Sequence, residues 1–119
     1  MRLKVAGAFH SPLMEPAARP LADAIDAAWF SVPRFPVASN VTGELSSDPD
    51  ALRTLLKRQV VSPVRWERCA QALYAAGAST FIEAGPGDVL TKLAKRVVPG
   101  ARAVAVGSPA EAAALATPA

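Results

Sequence analysis

One side chain in this sequence suits proton transfer near neutral pH. His10 is the single histidine, and it sits in Ala8-Phe9-His10-Ser11-Pro12-Leu13-Met14, between an apolar run and a helix-start signal. Serine caps free N–H groups at a helix start, and proline at the first helical position gives up no hydrogen bond. The pattern predicts an imidazole at the seam between a strand end and a helix N-terminus, where the partial positive charge disfavours imidazolium. A neutral imidazole accepts a proton, as a general base must. The same placement also suits a histidine that only packs or hydrogen-bonds in a loop.

A base needs a group to act on. Ser11 is adjacent, but it is better used as a helix cap, and neighbours in sequence seldom hold nucleophile–base geometry. No Gly-x-Ser-x-Gly elbow occurs in the 119 residues. The first acidic residue after His10 is Glu15, one helical turn on and facing solvent. With one histidine and one cysteine there is no metal-ligand spacing, and the residues imply no cofactor.

The elements that must position His10 come next. A length of 119 residues suits one small domain. Hydrophobic residues make up 51%, enough for a core, but aromatics are only 6%. Much of the apolar content is alanine, which favours helix and buries little area, so the core is expected to be thin. The net charge of +3 is scattered. Its densest group, Lys92, Lys95 and Arg96, reads as a helix end and not as a nucleic-acid patch. A lone cysteine excludes an internal disulfide and fits a reducing cytoplasm. No apolar run is long enough to span a bilayer, and no secretory signal follows Arg2 and Lys4.

Leu3 to Ala8 reads as a strand and Ser11 to about Trp29 as a helix. Pro16 and Pro20 place the regular part of that helix nearer Pro16, after a tight first turn. Val37 to Val41 reads as a strand and Thr42-Gly43 as a turn. Asn40 suits an Asx turn, with orientation of loops near the site as the other option. Asp48-Pro49 opens a second helix, with Leu52, Leu55, Leu56 and Val60 marking its inner face. A third helix runs from about Arg65 to Ala76 and stops at Gly77. Its inner side carries Trp66, Cys69, Ala70, Leu73 and Tyr74. Ser79 to Ala84 is a strand, and Asp88 to about Val97 a helix. Gly85-Pro86-Gly87 between them reads as a tight turn, with phosphate binding as the alternative. Arg102 to Val106 is the last strand, and Ser108-Pro109-Ala110-Glu111 is a capping box. Alternating strands and helices predict an α/β arrangement with mostly parallel strands.

Four segments resemble one family in the same order. They are Gly7-Ala8-Phe9-His10-Ser11-Pro12-Leu13-Met14, Pro36-Val37-Ala38-Ser39-Asn40-Val41-Thr42-Gly43, Leu56-Lys57-Arg58-Gln59-Val60-Val61-Ser62-Pro63-Val64-Arg65-Trp66 and Phe81-Ile82-Glu83-Ala84-Gly85-Pro86-Gly87-Asp88-Val89-Leu90. The family is the malonyl-CoA:acyl-carrier-protein transacylases, related to the acyltransferase domains of polyketide synthases. The resemblance covers residues 1–97 and leaves 98–119 as a last strand, a short helix and a frayed tail. It implies a single C-terminal fragment, residues 1–119, of a three-layer, α/β-hydrolase-like acyltransferase core with flanking helices. The family's Gly-His-Ser-Leu-Gly elbow, Gly-Gln-Gly segment, carboxylate-clamping arginine and ferredoxin-like subdomain lie before the histidine motif and have no counterpart here.

By the resemblance, His10 is the base that activates the family's serine and protonates the leaving thiolate. Gln59 is the residue whose main-chain carbonyl accepts a hydrogen bond from that imidazole. Phe9 matches the position that goes with malonyl over methylmalonyl substrates, a discrimination worth only ~1–3 kcal/mol for one methyl group. Malonyl-CoA and acyl carrier protein are the implied partners once a serine-bearing portion completes the site. The expected activity is malonyl transfer in fatty acid biosynthesis, with little or none from this chain alone. Three other readings stand beside it. One is a non-catalytic module that self-associates or pairs through its exposed sheet edge. The other two are the acyltransferase portion of a polyketide synthase and a flavodoxin-like small domain.

Overall fold

The computed structural model describes residues 7–116. The chain divides into two compact units, Met1–Cys69 and Ala70–Ala119. The strand expected at Leu3 to Ala8 lies outside the described residues as far as position 6, and neither Gly7 nor Ala8 is in a strand.

In the first unit, a 3-10 turn (Pro12–Met14) leads into α1 (Glu15–Ala27). This is the tight first turn that the prolines predicted. Pro16 sits in the first turn of α1, where a missing N–H costs nothing. Pro20 lies inside the helix and leaves the carbonyl of Pro16 without its helical donor. The other end of α1 is held by α2 (Pro49–Gln59). Arg53 Nη1 donates to the carbonyls of Ile25 and Asp26 at 3.1 and 3.2 Å, and its guanidinium lies 4.6 Å from the centre of the Phe30 ring. Lys57 pairs with Asp26. The start of α2 is the one its sequence dictates, with the Asp48 carboxylate accepting from Asp50 N at 3.0 Å and Pro49 in the first turn.

Strands β1 (Val37–Ser39) and β2 (Glu44–Ser46) form an antiparallel hairpin, with Val37 opposite Ser46 and Ser39 opposite Glu44. Its four-residue loop closes through Gly43 N to Ser39 O at 2.7 Å. Gly43 has φ 82, and a Cβ there would lie 2.5 Å from Arg68 Cβ, so the loop requires glycine. The hairpin packs on α2.

Helix α3 (Trp66–Ala75) crosses the boundary between the units. It ends at Gly77, φ 101, through Gly77 N to Tyr74 O and Ala78 N to Leu73 O, both 3.0 Å. That bond pair is a Schellman ending. In the second unit β3 (Thr80–Ala84) pairs in parallel with β4 (Arg102–Val106), Thr80 opposite Arg102 and Ala84 opposite Val106. Helix α4 (Val89–Val97) connects them and packs on both, and α5 (Pro109–Ala116) packs on β4. Ser108 Oγ accepts from Glu111 N at 3.3 Å, while the Glu111 carboxylate accepts from Gly107 N at 2.7 Å.

The architecture is α/β, as expected. In place of mostly parallel strands, the described residues hold one parallel and one antiparallel pair. The second arises because β2, which the sequence hid, folds back on β1. The core is thin. Among the described residues only Ile25, Val41, Cys69, Ala70, Ala94 and Val98 are buried apolar positions, and most of these side chains are small. No described helix is long and apolar enough to cross a membrane.

Candidate active site

His10 belongs to the turn that precedes the 3-10 segment, and its ring is exposed. Nδ1 lies 2.9 Å from the main-chain oxygen of Gln59, the last residue of α2. The main chain is fixed to the same place, with His10 N donating to Val60 O at 3.0 Å. His10 also has φ 61 and is the one described non-glycine residue in the left-handed region. Such a conformation costs of order 1–3 kcal/mol and persists only where the surroundings hold it.

The contact with Gln59 sets the tautomer. A carbonyl cannot donate, so an N···O distance of 2.9 Å requires the proton on Nδ1. The Gln59 side-chain amide also approaches Nδ1, at 3.3 Å, but it has an acceptor in Ser62 O at the same distance. Nδ1–H therefore donates to the Gln59 carbonyl, which also accepts Ser62 N at 3.2 Å. The lone pair is left on Nε2, which makes no hydrogen bond among the described residues. This is the arrangement of a proton acceptor whose orientation is fixed from behind.

The structure corrects two expectations about this motif. Ser11 makes no capping bond. Its hydroxyl donates to Ala8 O at 2.7 Å instead, so it neither caps a helix nor shares its proton with the imidazole. The groups that meet the ring are carbonyl and amide groups at the C-terminal end of α2, not the N–H groups of a helix start.

Phe9 is 62% exposed, so in this chain it is not a core residue. Its ring borders Gly7, where a Cβ would meet Cε2 at 3.2 Å. Gln59 also borders an apolar cavity of about 400 Å³ between Phe30, β1 and α2, lined among others by Leu52, Leu55 and Leu56. Asn40 forms no Asx turn. Ser39 Oγ and Thr42 Oγ1 bond the local N–H groups of Val41 and Glu44. Asn40 ties the hairpin loop to the start of α3, its main-chain oxygen accepting Arg65 N at 3.0 Å and Oδ1 accepting Cys69 Sγ at 3.5 Å. Arg65 Nε adds a bond to Val41 O at 3.0 Å. Burial pushes the Cys69 thiol pKa up, so this cysteine is an inert core group.

Gly85-Pro86-Gly87 is a turn, and after it the N–H groups of Leu90 and Thr91 are taken. Glu83 at the end of β3 accepts Leu90 N at 3.0 Å and Thr91 N at 2.8 Å. Those bonds hold its carboxyl below the usual carboxylate range, the Thr91 N–H having the larger effect.

On an α/β scaffold the chain thus presents an exposed histidine with its Nδ1–H on a main-chain carbonyl and Nε2 open, an arrangement able to accept a proton. No protein-family model matches the chain, but its relatives are specific. The chain is related to the malonyl-CoA:acyl-carrier-protein transacylases and corresponds to a C-terminal portion of them. It is 41% identical over 107 residues to the malonyl-CoA:acyl-carrier-protein transacylase of Bacillus subtilis, a match covering 90% of this chain and 34% of that protein. It also resembles the crystal structure of an acyl carrier protein S-malonyltransferase from Vibrio cholerae, with TM-score 0.85 and 41% identity over 95% of this chain and 37% of that one. A third likeness is to a malonyl-transacylase solved in complex with a type II polyketide acyl-carrier protein, with TM-score 0.82, 38% identity and 92% of this chain covered. The chain spans about a third of the length of the relatives it matches.

Proposed function

We propose that this chain supplies the general base for transfer of a malonyl group from malonyl-CoA to the phosphopantetheine thiol of an acyl carrier protein, in the cytoplasm and in fatty acid biosynthesis. The observation that carries this reading is the 2.9 Å contact of His10 Nδ1 with the Gln59 carbonyl, together with kinship to the transacylases. Nε2 takes the proton of a serine as it attacks the thioester, and the thiolate of CoA leaves with a proton returned from the imidazolium. In the second half the same nitrogen takes the proton of the carrier's thiol as it attacks the acyl-serine, and returns it to the serine oxygen as the acyl–oxygen bond breaks. The Gln59 carbonyl keeps the ring in the productive tautomer throughout, the task an aspartate has in a Ser-His-Asp triad. Phe9, adjoining the base, disfavours substrates with an α-methyl branch. The serine comes from a portion equivalent to the rest of the relatives' length, because these 119 residues contain no nucleophile elbow.

The test is complementation. Malonyl transfer to a carrier protein is measured for the chain alone, for the serine-bearing portion of the Bacillus subtilis relative alone, and for the two co-expressed. Activity is expected only in the pair, and His10→Ala is expected to remove it, by a factor of about 10²–10⁴. Activity of the pair that survives His10→Ala would falsify the assignment.

A second reading is favoured by the exposed apolar residues. Trp29, Leu13 and Phe35 are 88%, 78% and 73% exposed, a surface suited to a non-catalytic module that persists by association. A chain that self-associates and stays inactive with every serine-bearing partner would support it.

A further inference from the structure

The hydroxyl next to His10 has no part in the chemistry described so far. Ser11 makes no cap, and its Oγ donates to Ala8 O at 2.7 Å. That bond spans Phe9 and His10, and within the span His10 has φ 61. Residues with a Cβ avoid this region, so something must hold the turn there. Three bonds do. Ser11 Oγ to Ala8 O closes the turn from within. His10 N to Val60 O and His10 Nδ1 to Gln59 O, at 3.0 and 2.9 Å, fasten it to the end of α2. The latter two need the turn to be closed already. If His10 relaxed to negative φ, its N–H and its ring would no longer address two adjacent carbonyls together.

We propose that Ser11 is a positioning residue: its hydroxyl bond to Ala8 O holds His10 in the left-handed conformation that keeps Nδ1–H on the Gln59 carbonyl and Nε2 open. Its bearing on acyl transfer rests on the general-base reading above, but its effect on the ring does not. The proposal accounts for a hydroxyl beside the base that is neither nucleophile nor cap. It also requires Thr to serve at this position and Ala not to.

Because His10 is the only histidine, long-range proton–nitrogen NMR of the whole chain reads its ring without ambiguity. At alkaline pH the wild type is expected to show a protonated Nδ1 and a bare Nε2. Ser11→Ala should lose that pattern, the two nitrogen signals moving toward each other as the tautomers exchange, and Ser11→Thr should keep it. A wild-type ring already averaged, a Ser11→Ala ring identical to wild type, or a Ser11→Thr ring that behaves like Ser11→Ala overturns the proposal.

Thermal unfolding supplies an independent arm. Ser11→Ala should lower Tm by roughly 4 °C in the wild type and by clearly less in His10→Gly, where positive φ needs no support. Equal shifts overturn the proposal. Should Ser11→Ala not fold, the double variant decides: recovery of folding supports the positioning role, and its absence overturns it. Failure of the complementation assay would leave the ring measurements untouched, so the two ideas stand or fall separately.

Discussion

His10, the base proposed above, is held by main-chain oxygens, and that decides how substitution can reach it. Gln59→Ala keeps the carbonyl that accepts Nδ1–H and removes only the side-chain amide, with its 3.3 Å bond to Ser62 O. A hydrogen bond of that kind contributes about 1 kcal/mol, which is roughly five- to tenfold in rate if all of it is felt in the transition state. In the complemented enzyme Gln59→Ala is therefore expected to lower kcat by at most about tenfold. The loss for His10→Ala is expected to be at least ten times larger. Steady-state kinetics on the two variants side by side checks this. If Gln59→Ala is as damaging as His10→Ala, the working group is the side chain and the orienting role of the carbonyl is wrong.

At the scale of elements, α4 starts on a carboxylate from another element. Asp88, the residue before α4, makes no side-chain cap, and its carboxylate pairs with Lys92 at 2.9 Å instead. The orphan N–H groups of Leu90 and Thr91 are met by Glu83 from the end of β3. Thr91 N–H, and then Leu90 N–H, lower the Glu83 pKa. In the unfolded chain a glutamate protonates near ~4.3. The stabilisation is therefore complete above that pH and is lost as pH falls through the lower folded value. Glu83→Gln keeps one acceptor oxygen and no charge. Its Tm is expected to be lower than wild type at neutral pH and to fall less steeply between about pH 5 and 3. Parallel Tm–pH curves for the two proteins would rule this anchor out.

Elements differ in how plainly they are written in the sequence, and the reasons are physical. Asp48-Pro49 and Gly77 mark the ends of α2 and α3 because capping depends on residue type at one position. The three residues of β2 are too few to display a period of two, so the antiparallel hairpin leaves no pattern in the sequence. Asn40 carries an ordinary turn signal, yet its polar atoms serve α3, a contact between distant residues that no local pattern encodes. His10 and Gln59 are 49 positions apart, and a bond to a main-chain oxygen leaves no trace in side-chain type. Only the family resemblance brought those two together. Ser-Pro commonly marks a cap, while the positive φ beside Ser11 and its bond to Ala8 O exist only in the folded backbone.

For the whole molecule the deciding quantity is the ratio of buried to exposed apolar surface. In the first unit Trp29, Leu13, Phe35 and Phe9 are largely exposed, and in the second Val89 and Ile82 are 66% and 53% exposed. Meanwhile no described side chain is below 2% exposure. Each large side chain left in water forgoes about 1.5–3 kcal/mol of burial, in a protein whose class is stable by only about 5–15 kcal/mol. The isolated chain is expected to unfold below the 45–65 °C range common for domains of ordinary temperature habit, to bind an apolar dye, and to show a mass that rises with concentration. A partner that binds only the folded form raises Tm by mass action. Adding the serine-bearing portion of a relative should therefore raise Tm and quench dye binding together, even with His10→Ala, because association draws on apolar surface and not on the base. Calorimetry and dye fluorescence on the mixture test this. A monomer that melts sharply above about 65 °C without binding dye would show that the thin core suffices and that the exposed residues call for no partner.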